Sequence, residues 1–186
     1  FRVYAEDLYG RGYIWQSRQV VVASGFYDSP RMLNVPGEDL KKVTHRYTEA
    51  HWYAGHDVMV IGAGSSAAEI SLELYREGAC VTVAMREDRF HTKYWIEPDI
   101  ENRIKEGSIT CYRGVEVREI RPDSVLLEDA GGQHIEVEND FVLAMTGYEP
   151  DVSLVEDAGA AIDHACGKPV LDDTLETTVP GLFVAG

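Results

Sequence analysis

Residues 57–88 read DVMVIGAGSSAAEISLELYREGACVTVAMRED, and this stretch decides the fold. Asp57 to Ile61 is apolar and β-branched, the composition of a parallel strand covered on both faces. Gly62-Ala63-Gly64-Ser65-Ser66-Ala67 follows at once, in the spacing G-x-G-x-x-G/A. SAAEISLELYREG then has helical character, with Ala68, Ile70 and Leu74 on the sheet-facing side and Leu72 fitting it less neatly. ACVTVAMR supplies a second strand at the distance a βαβ unit requires. The spacing therefore predicts an α/β fold with a Rossmann-like parallel sheet. Gly62 permits the tight turn, Gly64 lets backbone N–H groups approach a diphosphate, and Ala67 allows helix and strand to pack closely. The positive end of the helix would face the anionic group. Residues 62–67 are thus candidate cofactor ligands, the alternative being a glycine-rich turn that binds nothing.

The end of the second strand bears on which nucleotide is held. An acidic side chain there would accept hydrogen bonds from a ribose diol, as NAD requires. Arg86 occupies that point, and its planar fork suits a 2′-phosphate, which favours NADPH. Glu87 and Asp88 come directly after and leave the NAD alternative open. Arg89, His91 and Lys93 add cations within a few residues, and His91 is placed to contact the adenosine end.

Outward from this unit, FRVYAED and YIWQS alternate around LYGRG as a hairpin would. Arg18–Gly25, RQVVVASG, reads as a strand buried on both faces. The segment FYDSPRMLNVPGEDLKK, with Pro30, Pro36 and Gly37, is an irregular connection. VTHRYTEAHWYAG reads as a short helix. KYWIEPDIENRIKEG places Trp95, Ile96, Ile100 and Ile104 on one helical face, with Pro98 in the first turn and Gly107 as the stop. SITCYRGVEVREIRPDSVLLEDAGGQHIEVEND predicts a β-meander on the crossover, FVLAMTG a further apolar strand and GLFVAG a last one.

The chain has 186 residues with a formal charge of −15, which argues against nucleic acid or an anionic membrane as partner. No apolar run approaches the ~18 residues of a membrane span. Cys80, Cys111 and Cys166 are isolated from one another with no CxxC, which predicts reduced, packing cysteines in a cytoplasmic protein. His45, His51 and His56 lack metal-ligand spacing and are expected in surface or linker positions; no metal site and no catalytic triad is expected.

Four motifs occur in order: VVVASGFYDSP…VPGE, VIGAGSSAAE, AMTGYEPD and TTVPGLFVAG. Together they resemble the two-dinucleotide-binding-domain flavoproteins, the pyridine nucleotide–disulfide oxidoreductases that include thioredoxin reductase. RFHTKYWIEPDIENRIKEGSI narrows the likeness to the YpdA-type bacillithiol-disulfide reductase branch. The resemblance implies that residues 1–36 are part of an FAD domain and linker, 37–148 an NADPH-binding domain, and 149–186 a truncated return into the FAD domain. The chain reads as a fragment that is inactive alone. The full-length protein would be a homo-oligomeric, FAD-containing enzyme passing hydride from NADPH to FAD. The acceptor would then be a disulfide, of a low-molecular-weight thiol or a small redox protein. The missing CxxC fits this branch, whose redox cysteine lies in the FAD domain. Thr146 and Gly147 join the cofactor-binding set, and Glu69 lies near the flavin side in such proteins, or else complements the helix dipole. Gly25 and Gly147 are either hinge points or plain strand terminators. A flavin monooxygenase, a ferredoxin–NADP reductase or a non-catalytic nucleotide-binding, redox-sensing module are the alternatives.

Overall fold

The computed structural model describes all 186 residues, Phe1–Gly186. In chain order, β1 is Arg2–Glu6, β2 Gly12–Gln16, β3 Val20–Val22 and β4 Val43–Thr44, followed by a 3-10 turn at Ala50–Tyr53. Next come β5 (Asp57–Ile61), α1 (Ser65–Arg76), β6 (Cys80–Met85), α2 (Glu97–Lys105) and β7 (Thr110–Arg113). Then follow β8 (Val115–Ile120), β9 (Ser124–Asp129), β10 (His134–Glu138) and β11 (Phe141–Ala144). The chain closes with α3 (Ser153–Asp157), β12 (Ile162–Asp163), β13 (Lys168–Pro169) and β14 (Leu182–Val184). These elements form two compact units, Pro30–Gly147 and a second made of Phe1–Ser29 with Tyr148–Gly186.

The larger unit is a three-layer sandwich. Its middle layer is a five-stranded sheet in the order β4-β11-β5-β6-β7, every pair parallel. Side chains alternate across it, as strand geometry dictates. Val58, Val60, Val81, Val83 and Leu143 join the apolar faces of α1 and α2 through Ala67, Ile70, Leu74 and Ile100. Met59, Ile61, Ala84 and Val142 point the other way, onto Val115, Ile120, Val125 and Leu127 of the antiparallel sheet β10-β9-β8. Both faces are therefore covered, which is why β5 and β11 read as unbroken apolar runs.

Three expectations are corrected within this unit. The run 108–140 is not one meander: β7 joins the parallel sheet beside β6, and only β8–β10 form the antiparallel layer. Residues 43–55 are not one helix either, since Val43 and Thr44 pair with Val142 and Leu143 of β11. Trp95, expected on the buried face of α2, lies outside the helix and is 61% exposed, while Ile100 is fully buried. Pro98 does stand in the first turn.

The smaller unit contains the hairpin β1–β2, with Arg2 opposite Gln16, and a two-stranded parallel pairing of β3 with β14. Its core is small: Val22, Val155, Ala160 and Leu182, with Val20, Val179 and Val184 against them. The expected strand at 18–25 is only three residues long and is covered on one face, because Val22 is buried while Val21 is 62% exposed. No helix is long and apolar enough to cross a membrane.

Candidate functional site

The order of strands reverses at β5. The chain passes from β5 through α1 to β6 and on to β7 on one side, and later inserts β11 on the other, between β5 and the earlier strand β4. In open parallel sheets ligands bind at such a reversal, beyond the carboxyl ends of the strands. Residues 62–67, 86–93 and 145–147 are the segments that leave the sheet there.

Gly62 donates its N–H to Ala84 O at 3.0 Å and has φ +136°. A Cβ on it would sit 2.4 Å from Met145 O, so only glycine lets the end of β11 come this close. Met145 in turn donates its N–H to Ile61 O at 2.8 Å. Gly64 is different: its φ is −79° and nothing lies within 4 Å of where its Cβ would be. It occupies the N-cap of α1, no side chain caps that helix, and no acidic residue stands in its first turn. The amides opening α1 thus have no side-chain cap, and open space adjoins Gly64, an arrangement suited to an anion. Ala67 is fully buried, which fits its expected packing role, and Ala63 is buried too. Ser65 is half-buried and Ser66 exposed.

The loop after β6 is tied to this turn. His91 donates its backbone N–H to Ala63 O at 2.7 Å, and His91 forms a parallel bridge with Gly64. Lys93 Nζ donates to Glu69 Oε1 at 3.1 Å, so Glu69 is already paired within the unit. Arg113 braces the loop from below: it donates to the Asp88 carbonyl and makes two bonds to Glu101, at 2.8 and 2.9 Å. Those Glu101 bonds hold the Arg113 guanidinium more firmly protonated than usual. Arg86 and Arg89 are exposed and have no hydrogen-bonded or ion-paired partner, leaving two uncommitted cations on a braced loop. Thr146 Oγ1 donates to Arg31 O at 2.5 Å, and Gly147 O accepts from Arg31 N at 3.0 Å, so both residues fasten the ends of this unit to each other.

The structure thus gathers Gly62–Ala67, Glu69, Arg86, His91 and Thr146–Gly147 on the side of one sheet where its strands end. Met145 and the Lys93–Glu69 pairing are additions. The contact of Met145 with Gly62 leaves no mark in the sequence, because it depends on β11 entering beside β5 from 80 residues away. The cysteines depart from the packing role expected of them: Cys80 and Cys166 are exposed and only Cys111 is partly buried. His45 departs from a surface role, its ring lying against Glu38 Oε1 at 3.2 Å in a mostly buried position.

The model of the family described as pyridine nucleotide-disulphide oxidoreductase matches residues 11–186. The bacilliredoxin reductase Bdr of Bacillus subtilis (strain 168) is 41% identical over 169 residues, 89% of this chain and 52% of that protein. The structure of the bacillithiol disulfide reductase Bdr (YpdA) from Bacillus cereus superposes with a TM-score of 0.95 at 39% identity, covering all of this chain and 58% of that one. The thioredoxin reductase of Lactococcus lactis gives 0.79 at 26% identity, over 95% of this chain and 58% of that one. The chain spans about half the length of the relatives it matches. It belongs to the pyridine nucleotide-disulphide oxidoreductase family.

Proposed function

We infer that residues 30–147 bind a nicotinamide dinucleotide at the β5/β11 reversal, and that NADPH is taken in preference to NADH. The observation that carries this is the open Gly64 face at the uncapped start of α1, beside the unpaired Arg86 and Arg89. The diphosphate would lie against the amides of residues 64–67, and the guanidinium of Arg86 would bind the 2′-phosphate. Thr146 and Gly147 would border the nicotinamide side, next to Met145.

Family membership implies FAD as well as a nicotinamide nucleotide for the whole protein. The smaller unit offers no cradle of the kind seen at Gly64. Its only helix, α3, has five residues and carries Glu156 in its first turn. No residue of this chain is therefore assigned to FAD. In the whole protein the part of residues 30–147 is to hold and orient the coenzyme, while flavin and disulfide chemistry proceed elsewhere. Likeness to the two Bdr proteins supports bacillithiol disulfide, or a small disulfide-bearing redox protein, as the final acceptor. A homo-oligomeric, cytoplasmic enzyme remains part of this proposal, as do the domain limits 37–148 for the nucleotide domain and 1–36 with 149–186 for the flavin-domain segments.

Calorimetric titration of the chain with NADPH and NADH tests the reading. NADPH is expected to bind more tightly, and Arg86→Ala to weaken NADPH by about 1–3 kcal/mol while leaving NADH little changed. Equal affinities in the native chain refute the assignment of Arg86.

A further inference from the structure

Tyr94 and Trp95 are 81% and 61% exposed, adjacent in sequence, and their rings meet edge to face at 4.8 Å. Phe26 and Tyr27 form another exposed pair of neighbouring rings, at 4.8 Å in the smaller unit, so exposure alone does not mark Tyr94 and Trp95; their attachment to the turn after β5 does. Their position is fixed rather than loose. Lys93 accepts backbone N–H bonds from Ile96 and Glu97 at its carbonyl, 2.9 and 3.2 Å, closing the turn that carries both rings. The same lysine is ion-paired to Glu69 of α1, and its ammonium lies 5.7 Å from the Trp95 ring centroid. Two residues earlier His91 is bridged to Gly64. The aromatic turn is thus fastened to the first turns of α1, the element whose open end receives the diphosphate in the reading above. Helical periodicity assigns Trp95 to the buried face of α2, yet the structure turns it outward. Failures of local pattern of this kind concentrate where a side chain serves a ligand.

We propose that Tyr94 and Trp95 form a stacking wall for a planar ring of the bound dinucleotide, held in place by the Lys93–Glu69 pair. The proposal rests on the dinucleotide reading of the 62–67 turn. Trp95 offers a wide π surface whose position costs little entropy to fix, because the turn beneath it is already closed. The adenine and the nicotinamide share the required chemistry, a flat heteroaromatic ring.

The test uses the whole 186-residue chain with Trp15→Phe and Trp52→Phe introduced, so that Trp95 is the sole tryptophan. Titration with NADP+ is expected to change its emission saturably. In parallel titrations 2′,5′-ADP and nicotinamide mononucleotide tell which half stacks: a response to the first assigns the adenine, a response to the second the nicotinamide. In the otherwise native chain, Trp95→Leu is expected to raise the Kd for NADP+ roughly tenfold, within the range for a base stacked on an aromatic side chain. Trp95→Phe should recover part of that loss. Trp15→Leu, at a residue 52% exposed in the smaller unit, should change nothing. If Trp95→Leu binds NADP+ like the native chain and Trp95 emission does not move, the wall is disproved while the dinucleotide reading stands. If the native chain binds no dinucleotide at all, the reading itself fails and the wall with it.

Discussion

Alanine at Gly62 and alanine at Gly64 are the same chemical change two residues apart, and the structure requires opposite outcomes. At Gly62 the backbone has φ +136°, which L side chains rarely adopt, and holding alanine there costs on the order of 1–3 kcal/mol. The new methyl would also stand 2.4 Å from Met145 O, a backbone atom of β11 that cannot swing aside. Relieving that overlap costs about another 1–3 kcal/mol. Together these amount to roughly 2–6 kcal/mol, or a fall in Tm of about 5–20 °C for a chain of this size. At Gly64 the φ of −79° suits alanine and no atom lies within 4 Å of the methyl. Stability should hold or rise, by at most about 1 kcal/mol, through the less flexible unfolded chain. The methyl nevertheless fills the surface a diphosphate must approach, so NADPH affinity should fall at least tenfold. Thermal melts followed by circular dichroism, together with calorimetric titration of NADPH, separate the two effects. A Gly64→Ala chain that binds NADPH like the native one would show that nothing approaches this turn. A Gly62→Ala chain that melts at the native temperature would show that the β5–β11 contact is not rigid.

Three further outcomes are expected. Lys42 Nζ donates to Asn139 Oδ1 at 2.6 Å and to Ser124 O at 3.3 Å; Lys42→Met strips the buried Asn139 of its donor and should cost about 1–3 kcal/mol in chemical denaturation. Burial pushes the Cys111 thiol above its ordinary range, so at pH 8 an alkylating reagent should label Cys80 and Cys166 readily and Cys111 slowly, as peptide mass mapping would report. Asp140 is held below the ordinary 3.8 by the Asp57 N–H and then by His56, so its contribution is present above that value and is lost as pH falls through the lowered one. Asp140→Asn should therefore be less stable than the native chain near pH 6, with the gap closing as pH falls below the ordinary 3.8; a gap that stays constant on acidification would exclude the linkage.

What the sequence disclosed was whatever local rules decide. β5, α1 and β6 were legible because periodicity, the glycine spacing and strand composition all agree over 32 consecutive residues. Thr110–Arg113 was not placed correctly because alternation looks the same in a parallel and an antiparallel neighbour. Cys111 packs toward the helices and Tyr112 toward the antiparallel layer, a two-sided burial that four residues cannot announce. Val43 and Thr44 become a strand only because β11 pairs with them, about a hundred residues later. Val21 misled in the other direction: three valines in a row signal two-sided burial, but β3 has one narrow partner, β14, and one covered face. The side chains that brace the candidate site were not legible. Neither the Lys93–Glu69 pair nor the Arg113–Glu101 brace under Asp88 follows any spacing rule.

The arrangement of charge explains how an acidic chain can hold an anionic coenzyme. The parallel sheet is sealed on one face by α1 and α2 and on the other by β8–β10, so its strand ends are where a ligand gains access. Asp57 opens β5, and Asp140 just before β11 accepts the Asp57 N–H at 3.0 Å and contacts His56 at 3.2 Å. The opposite end carries the uncapped amides of α1 with Arg86 and Arg89, which flank Glu87 and Asp88 on the same loop. The Debye length is about 8 Å at physiological ionic strength, so carboxylates across the unit are screened while groups in contact with a phosphate are not. The net charge of −15 thus governs encounter, slowing the approach of any anion, whereas affinity is set by the few donors that touch it. Raising the ionic strength should then speed NADPH association, by weakening long-range repulsion, while weakening the 2′-phosphate contact at Arg86. Stopped-flow binding at low and high salt resolves the two. An association rate that falls with salt would mean that the cations of this loop, and not the acidic surface as a whole, dominate the field at the mouth of the site.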